Sequence, residues 1–109
     1  MTGVKEIMGF LGLSRRACKL SCGHDAVIES IVKDKAELII LSSDASERLK
    51  NEIKHAASYG NRNIPVIESQ LLMQDFYQGI GKKSAVLSVT DKSFKEKLET
   101  MFGEVNYGS

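Results

Sequence analysis

Proline occurs once in 109 residues, low-complexity tracts are absent, and nine glycines are spread along the chain. Few breakers and no biased tract argue against a disordered region or a long linker. Residues 1–109 are therefore expected to form one domain, with a tail from about Gly103 that shows no periodicity and frays. Cysteine is also scarce. The chain is long enough to bury a core without help from disulfides or a metal. Long apolar runs are missing: none approaches the roughly 20 residues needed to cross a bilayer. Met1 to Met8 include Lys5 and Glu6 where a secretion signal would be apolar. The expected compartment is the cytoplasm, with no membrane partner. Neither sign of charge dominates, since 15 Lys and Arg face 14 Asp and Glu for a net charge of +1. That balance excludes a uniformly basic coat and leaves room only for local basic patches.

The patterns of common catalytic sites are missing too. There is no GxxxxGK phosphate loop, no dinucleotide glycine pattern and no HExxH helix. His24 and His55 stand apart from any identifiable nucleophile. Cys22 and His24 are two residues apart at a strand-to-turn boundary, which is not by itself a thiolate–imidazole geometry. A metal reading of Cys18, Cys22 and His24 lacks a fourth ligand. In a reducing compartment the two cysteines are expected to stay thiols; on a strand they would lie about 13 Å apart, too far for a local disulfide. No enzymatic activity, cofactor or metal is expected.

What the sequence does contain is an alternation of helical and strand patterns. Val4, Ile7, Met8 and Leu11 mark one apolar face of a helix from about Thr2 to Leu13. Cys18 to Cys22 reads as a strand ending at Gly23, and Val27, Ile28 and Ile31 define a second helix over His24 to Lys33. Leu38 to Leu41 is a continuous apolar run, as in a central strand covered on both faces. Asp44, three residues before Glu47, resembles a capping box opening a third helix that carries Leu49, Ile53, Ala56 and Ala57 and stops near Gly60. The loop Asn61 to Asn63 leads to a strand over Ile64 to Ile67, where Pro65 suits an edge or first position. Ser69 caps a fourth helix with Leu72, Met73, Phe76 and Ile80 on its core face, closed by Gly79 and Gly81. Ala85 to Val89 is a buried strand, and Asp91 opens a last helix with Phe94, Leu98 and Met101. Alternation of this kind predicts an α/β fold, a sheet between two helical layers.

The run SCGHDAVIESIVKDKAELIILSSDAS, with LGLSRRACK before it and GIGKKSAVLSVTDKSF after it, resembles the L7Ae/L30e ribosomal protein family over roughly residues 4 to 102. Within that family it looks most like the bacterial YlxQ-like, ribosomal-protein-related branch. The resemblance implies a three-layer α-β-α sandwich with a mixed four-stranded sheet. It also implies binding of structured RNA, kink-turn-like or otherwise ribosomal or noncoding, with association with the ribosome or translation factors and no DNA partner. Matched by position, Gly23 takes the place of the family glycine, Asp44 and Ala45 that of the middle loop, and Gly81 that of the glycine entering the third loop. The residues that follow differ from the kink-turn pattern: His24, Asp25 and Ala26 come after the glycine, and Glu29 stands where a lysine is expected.

The candidate RNA contacts follow from this. Amides behind Gly23 can hold a phosphate while His24 or Asp25 meets a base edge; the plainer reading is that Gly23 only makes the turn and Asp25 only stabilises the helix end. Residues 14 to 24 carry Arg15, Arg16 and Lys19 without an acid, and residues 78 to 90 carry Lys82 and Lys83 likewise. Each is a candidate phosphate contact or a solvated face. Ala26 and Glu29 also leave open a protein-interaction module that kept the fold without the kink-turn grip.

Overall fold

The computed structural model describes residues 3–59 and 63–105. Within them the chain runs α1 (Val4–Arg16), β1 (Leu20–Cys22), α2 (His24–Val32), β2 (Leu38–Leu41), α3 (Glu47–Ser58), β3 (Val66–Glu68), α4 (Met73–Ile80), β4 (Val86–Val89) and α5 (Lys92–Glu104). The strands form one mixed sheet in the order β1-β4-β2-β3, antiparallel except for the β2–β3 pair. Helices lie on both faces, which is the expected three-layer α-β-α sandwich.

The apolar run of β2 explains its central place. Successive side chains of a strand point to opposite faces, so Leu38 and Ile40 join Ile7, Leu11, Phe76 and Leu98 of α1, α4 and α5. Ile39 and Leu41 join Val27, Ile53 and Ala57 of α2 and α3. Burying each such Leu or Ile contributes about 1.5–3 kcal/mol. β4 divides in the same way, with Leu87 and Val89 on the first face and Val86 on the second. Its Ser88 also faces α2, with its Oγ 2.7 Å from Ser30 Oγ, and the Ser30 hydroxyl donates to the Val27 carbonyl at 2.6 Å. The two buried hydroxyls thus satisfy each other, as burial demands.

Several boundaries differ from the sequence expectation, each for a local reason. α1 continues to Arg16 and Cys18 is not in a strand. It adopts φ 60°, the Cys18 N–H donates to the Arg15 carbonyl, and the Lys19 N–H donates to the Ser14 carbonyl, the two bonds of a Schellman ending. The cap of α3 is Ser46, whose Oγ accepts the Leu49 amide at 3.1 Å. Asp44 serves α4 instead: its Oδ1 accepts the Met73 amide at 3.0 Å, while Asp75 accepts the Leu72 amide at 2.8 Å. Ser69 is not the cap; its hydroxyl donates to the Leu41 carbonyl and accepts the Leu71 amide. β3 begins at Val66 rather than Ile64, although Ile64 is buried and the Pro65 carbonyl accepts the Ile39 amide. Helix α5 continues through Gly103 to Glu104, and Val105 packs against the core. Gly60, Asn61 and Arg62, where the third helix was expected to stop and a loop to follow, lie outside the described residues, as do residues 106–109.

Candidate nucleic-acid interface

Sheet direction decides which loops meet. Cys22 at the end of β1 and Leu41 at the end of β2 pair with Leu87 and Val86 at the start of β4. The segments after β1 and β2 and the segment before β4 therefore emerge at one end of the sheet. Backbone bonds join them: the Gly23 N–H donates to the Val86 carbonyl at 3.0 Å, the Ser42 N–H to Ala85 at 2.9 Å, and the Ser43 N–H to Leu71 at 2.7 Å.

On this rim Gly23 precedes α2 with φ 93° and ψ 162°, a backbone state essentially reserved for glycine. It aims the first turn of α2 outward, where the first amides of any helix lack intrahelical acceptors. A β-carbon on Gly23 would lie 3.7 Å from the Ser84 Oγ. That hydroxyl is buried and has no hydrogen-bond partner among the described residues. His24 and Asp25 are exposed in the first turn. The His24 ring bonds Asp25 at 3.0 Å through Nδ1 and Glu52 of α3 at 2.6 Å through Nε2. The Asp25 and Glu52 bonds, in that order, push its pKa above the ordinary 6.5.

Asp44 is exposed and Ala45 buried in the loop after β2. Partial desolvation acts to raise the Asp44 pKa, but the Met73 amide first, then the Ser42 hydroxyl and Asp44's own amide, with the Lys50 charge last, together outweigh it and hold the carboxyl below its usual range. Gly81, at φ 73°, donates to the Tyr77 carbonyl and closes α4. The Arg15 guanidinium donates to the Ile80 carbonyl beside it, a cation placed at the negative end of a helix. Lys82 and Lys83 follow, exposed. Burial pushes the Cys22 thiol up, and Arg15 and Lys82 draw it part of the way back, so both cations lie close to the end of β1.

The structure thus brings Gly23, His24, Asp25, Asp44, Ala45, Gly81, Lys82, Lys83 and Arg15 to one end of the sheet. Two predicted contacts are not part of this group. Lys19 precedes the opposite end of β1, where its carbonyl accepts the Thr90 amide and its ammonium lies 3.8 Å from Asp91. Arg16, exposed, lies over the crossing of α1 and α4, close to Gly12. Sequence reasoning missed Lys50, which donates to the Ser43 carbonyl at 3.4 Å, and Arg48, exposed in the first turn of α3. The signal was available: a loop that begins at the end of β2 must deliver the start of α3 to the same rim. Glu29, the acid where a base was expected, is exposed and paired with Lys33 at 2.5 Å, which holds its carboxyl below the usual range.

Among the described residues no three His, Cys, Asp or Glu side chains gather to hold a metal, and no helix is long and apolar enough to cross a membrane. Cys22 is buried and both ring nitrogens of His24 face carboxylates, so the two do not form a thiolate–imidazole pair.

The family model for ribosomal protein L7Ae/L30e/S12e/Gadd45 matches residues 5–99. A curated relative from Enterococcus faecium, RNA-binding protein YlxQ, is 31% identical over 97 residues, covering 89% of this chain and 91% of its own length. The protein of the same name from Bacillus subtilis (strain 168) is 33% identical over 99 residues, covering 90% and 95%. Among solved structures, a Bacillus halodurans C protein described as of unknown function superimposes with a TM-score of 0.81 at 31% identity, covering 91% of this chain and 98% of that one. The Giardia lamblia 15.5kD RNA binding protein shares the fold, with a TM-score of 0.64 at 12% identity over 92% of this chain and 84% of its own.

Proposed function

Because the chain belongs to the ribosomal protein L7Ae/L30e/S12e/Gadd45 family, we propose that it binds structured RNA and acts without catalysis. The observation that carries this reading is the shared rim, where the exposed first turn of α2 and the cations beside Gly81 can address one polyanion. The names of the relatives that match most of the chain support it. The RNA we infer is ribosomal or another noncoding RNA with a bent, kink-turn-like element, recognised by backbone shape and an unpaired base. His24, Asp25 and Ala26 would replace the usual base-reading residues. The setting would be a bacterial cytoplasmic ribonucleoprotein, in contact with the ribosome or a translation factor.

The test is a titration with a transcribed kink-turn RNA and with ribosomal RNA fragments at rising salt. Phosphate contacts make affinity fall steeply with salt, and Lys82→Glu with Lys83→Glu should weaken binding to every RNA that binds. Weak, salt-insensitive affinity untouched by the double change would reject the reading. One observation favours a protein-interaction module in that event. Ile28, Ile31 and Val32 of α2, His55 and Ala56 of α3, and Tyr59 just after α3 line an apolar groove, with Val32 77% and Tyr59 79% exposed.

A further inference from the structure

The first residue of α2 is fastened to α3 by its own side chain. His24 Nε2 lies 2.6 Å from Glu52 Oε2 and Nδ1 lies 3.0 Å from Asp25 Oδ1. A neutral imidazole has one N–H and one lone pair. It can donate to one of these carboxylates, but its lone pair then faces the oxygen of the other. Only the imidazolium donates to both, so this geometry is that of the charged ring.

The surroundings agree. Asp25 on α2 and Glu52 on α3 are the charged groups that act on the ring, and Arg48 lies one turn before Glu52 on the same helix. β1 and β4 also pack against α2. Their one titratable side chain is Cys22, whose thiol burial keeps protonated. In the loop before β4, Lys82 acts on Cys22, and Lys83 follows it, exposed.

We propose that Glu52 is a positioning residue for the rim: with Asp25 it holds His24 doubly protonated at the mouth of α2, and the protonation of this one ring sets RNA affinity. The inference rests on the RNA-binding reading and adds a regulation to it. With the ring charged, His24, Asp25 and Glu52 together carry one negative charge. When the proton leaves they carry two, and one carboxylate loses its donor beside the helix terminus that a phosphate would approach. A neutralised acid becomes a repelling one. The raised pKa moves this change above 6.5, into the range where modest shifts in acidity matter.

The experiment follows the His24 ring protons by NMR in the free protein between about pH 5.5 and 8.5. The affinity of the same protein for a transcribed kink-turn RNA is measured over the same range. In the wild type the ring midpoint should lie above 6.5, and affinity should fall about threefold through it, the order of one exposed charge contact. Glu52→Gln should lower the ring midpoint and the affinity midpoint together, and His24→Asn should abolish the step. A ring midpoint at or below 6.5, or an affinity midpoint that stays fixed in Glu52→Gln, overturns the proposal. RNA bound with pH-independent affinity rejects the gate alone. If no RNA binds at any pH while the ring midpoint stays raised, the RNA-binding reading fails and the gate fails with it.

Discussion

Gly12 and Gly79 meet backbone to backbone: a β-carbon on Gly12 would stand 2.5 Å from the Gly79 carbonyl oxygen, and one on Gly79 would stand 2.7 Å from the Met8 carbonyl oxygen. Both obstacles are main chain, so neither side can turn away. This crossing sets α4 against α1 and lets Arg15 reach the Ile80 carbonyl, which places Gly81 and the two lysines beside the end of β1. Alanine is the better helix former by roughly 1 kcal/mol, but overpacking costs about 1–3 kcal/mol, and here it should win. Gly79→Ala is expected to lower the urea midpoint. Gly9, with nothing within 4 Å of its would-be β-carbon, is the control, and Gly9→Ala should raise it. Equal gains from both changes would show that the helices slide apart freely.

Helices α1 and α2 both end in Schellman turns with a non-glycine residue in the left-handed state. Cys18 has φ 60° and Asp34 has φ 61°. The Lys19 amide reaches Ser14 at 2.8 Å and the Lys35 amide reaches Ser30 at 2.8 Å. A β-carbon in that state costs about 1–2 kcal/mol, and glycine gives back part of the gain through its freer unfolded chain. Cys18→Gly is expected to stabilise the protein by about 0.5–1 kcal/mol, whereas an aspartate tolerates this backbone state better and Asp34→Gly should gain less. Thermal or urea unfolding reads this directly, and a loss in Cys18→Gly would mean that the exposed thiol side chain contributes more than the strain.

Much of the fold was legible because one pattern had one physical meaning. Four successive apolar residues, Leu38 to Leu41, fit only a strand or helix segment buried all round, and turn residues on both sides bounded its length. Gly23 and Gly81 marked turns where positive φ is in fact used. The placement of the basic cluster was not legible, for the opposite reason. Arg15 and Lys19 are four residues apart in sequence, but the Schellman turn at Cys18 reverses the chain between them. One then reaches Ile80 and the other Asp91. With no glycine at Cys18, nothing local announced that turn. Asp44 has the right spacing from Glu47 for a capping box, yet it bonds Met73, 29 residues away, because α4 also starts on the rim. The His24–Glu52 link spans 28 residues between two helices, and no periodicity within either helix signals it.

The cap at Asp44 has a pH signature. Its folded pKa is depressed, so its contribution to stability is present above the unfolded value of 3.8 and is lost as pH falls through the lower folded value. Asp44→Ala should therefore cost about 0.5–2 kcal/mol at neutral pH, the usual cost of losing a helix cap. The difference from wild type should narrow in strong acid. Urea unfolding of both proteins at a neutral and an acidic pH tests this, and a gap that stays constant would remove the carboxylate from the account.

Topology and sequence clustering make opposite forecasts for two cations. By clustering, Lys19 belongs with Arg15, while Arg48 stands among the acids and polar residues of SSDASERLKNE and draws no notice. By topology, Lys19 is at the far end of β1, 3.8 Å from Asp91, while Arg48 is exposed in the helical turn that leaves the rim. A phosphate contact contributes roughly one unit to the salt slope of RNA affinity. Arg48→Ala should therefore flatten the slope by about one unit, and Lys19→Ala should leave it unchanged. Lys19 also tests the fold, since an exposed ion pair contributes at most about 1 kcal/mol, so its loss cannot masquerade as unfolding. The reverse result, a slope that answers to Lys19 and ignores Arg48, would move the RNA to the opposite end of the sheet and separate it from Gly23 altogether.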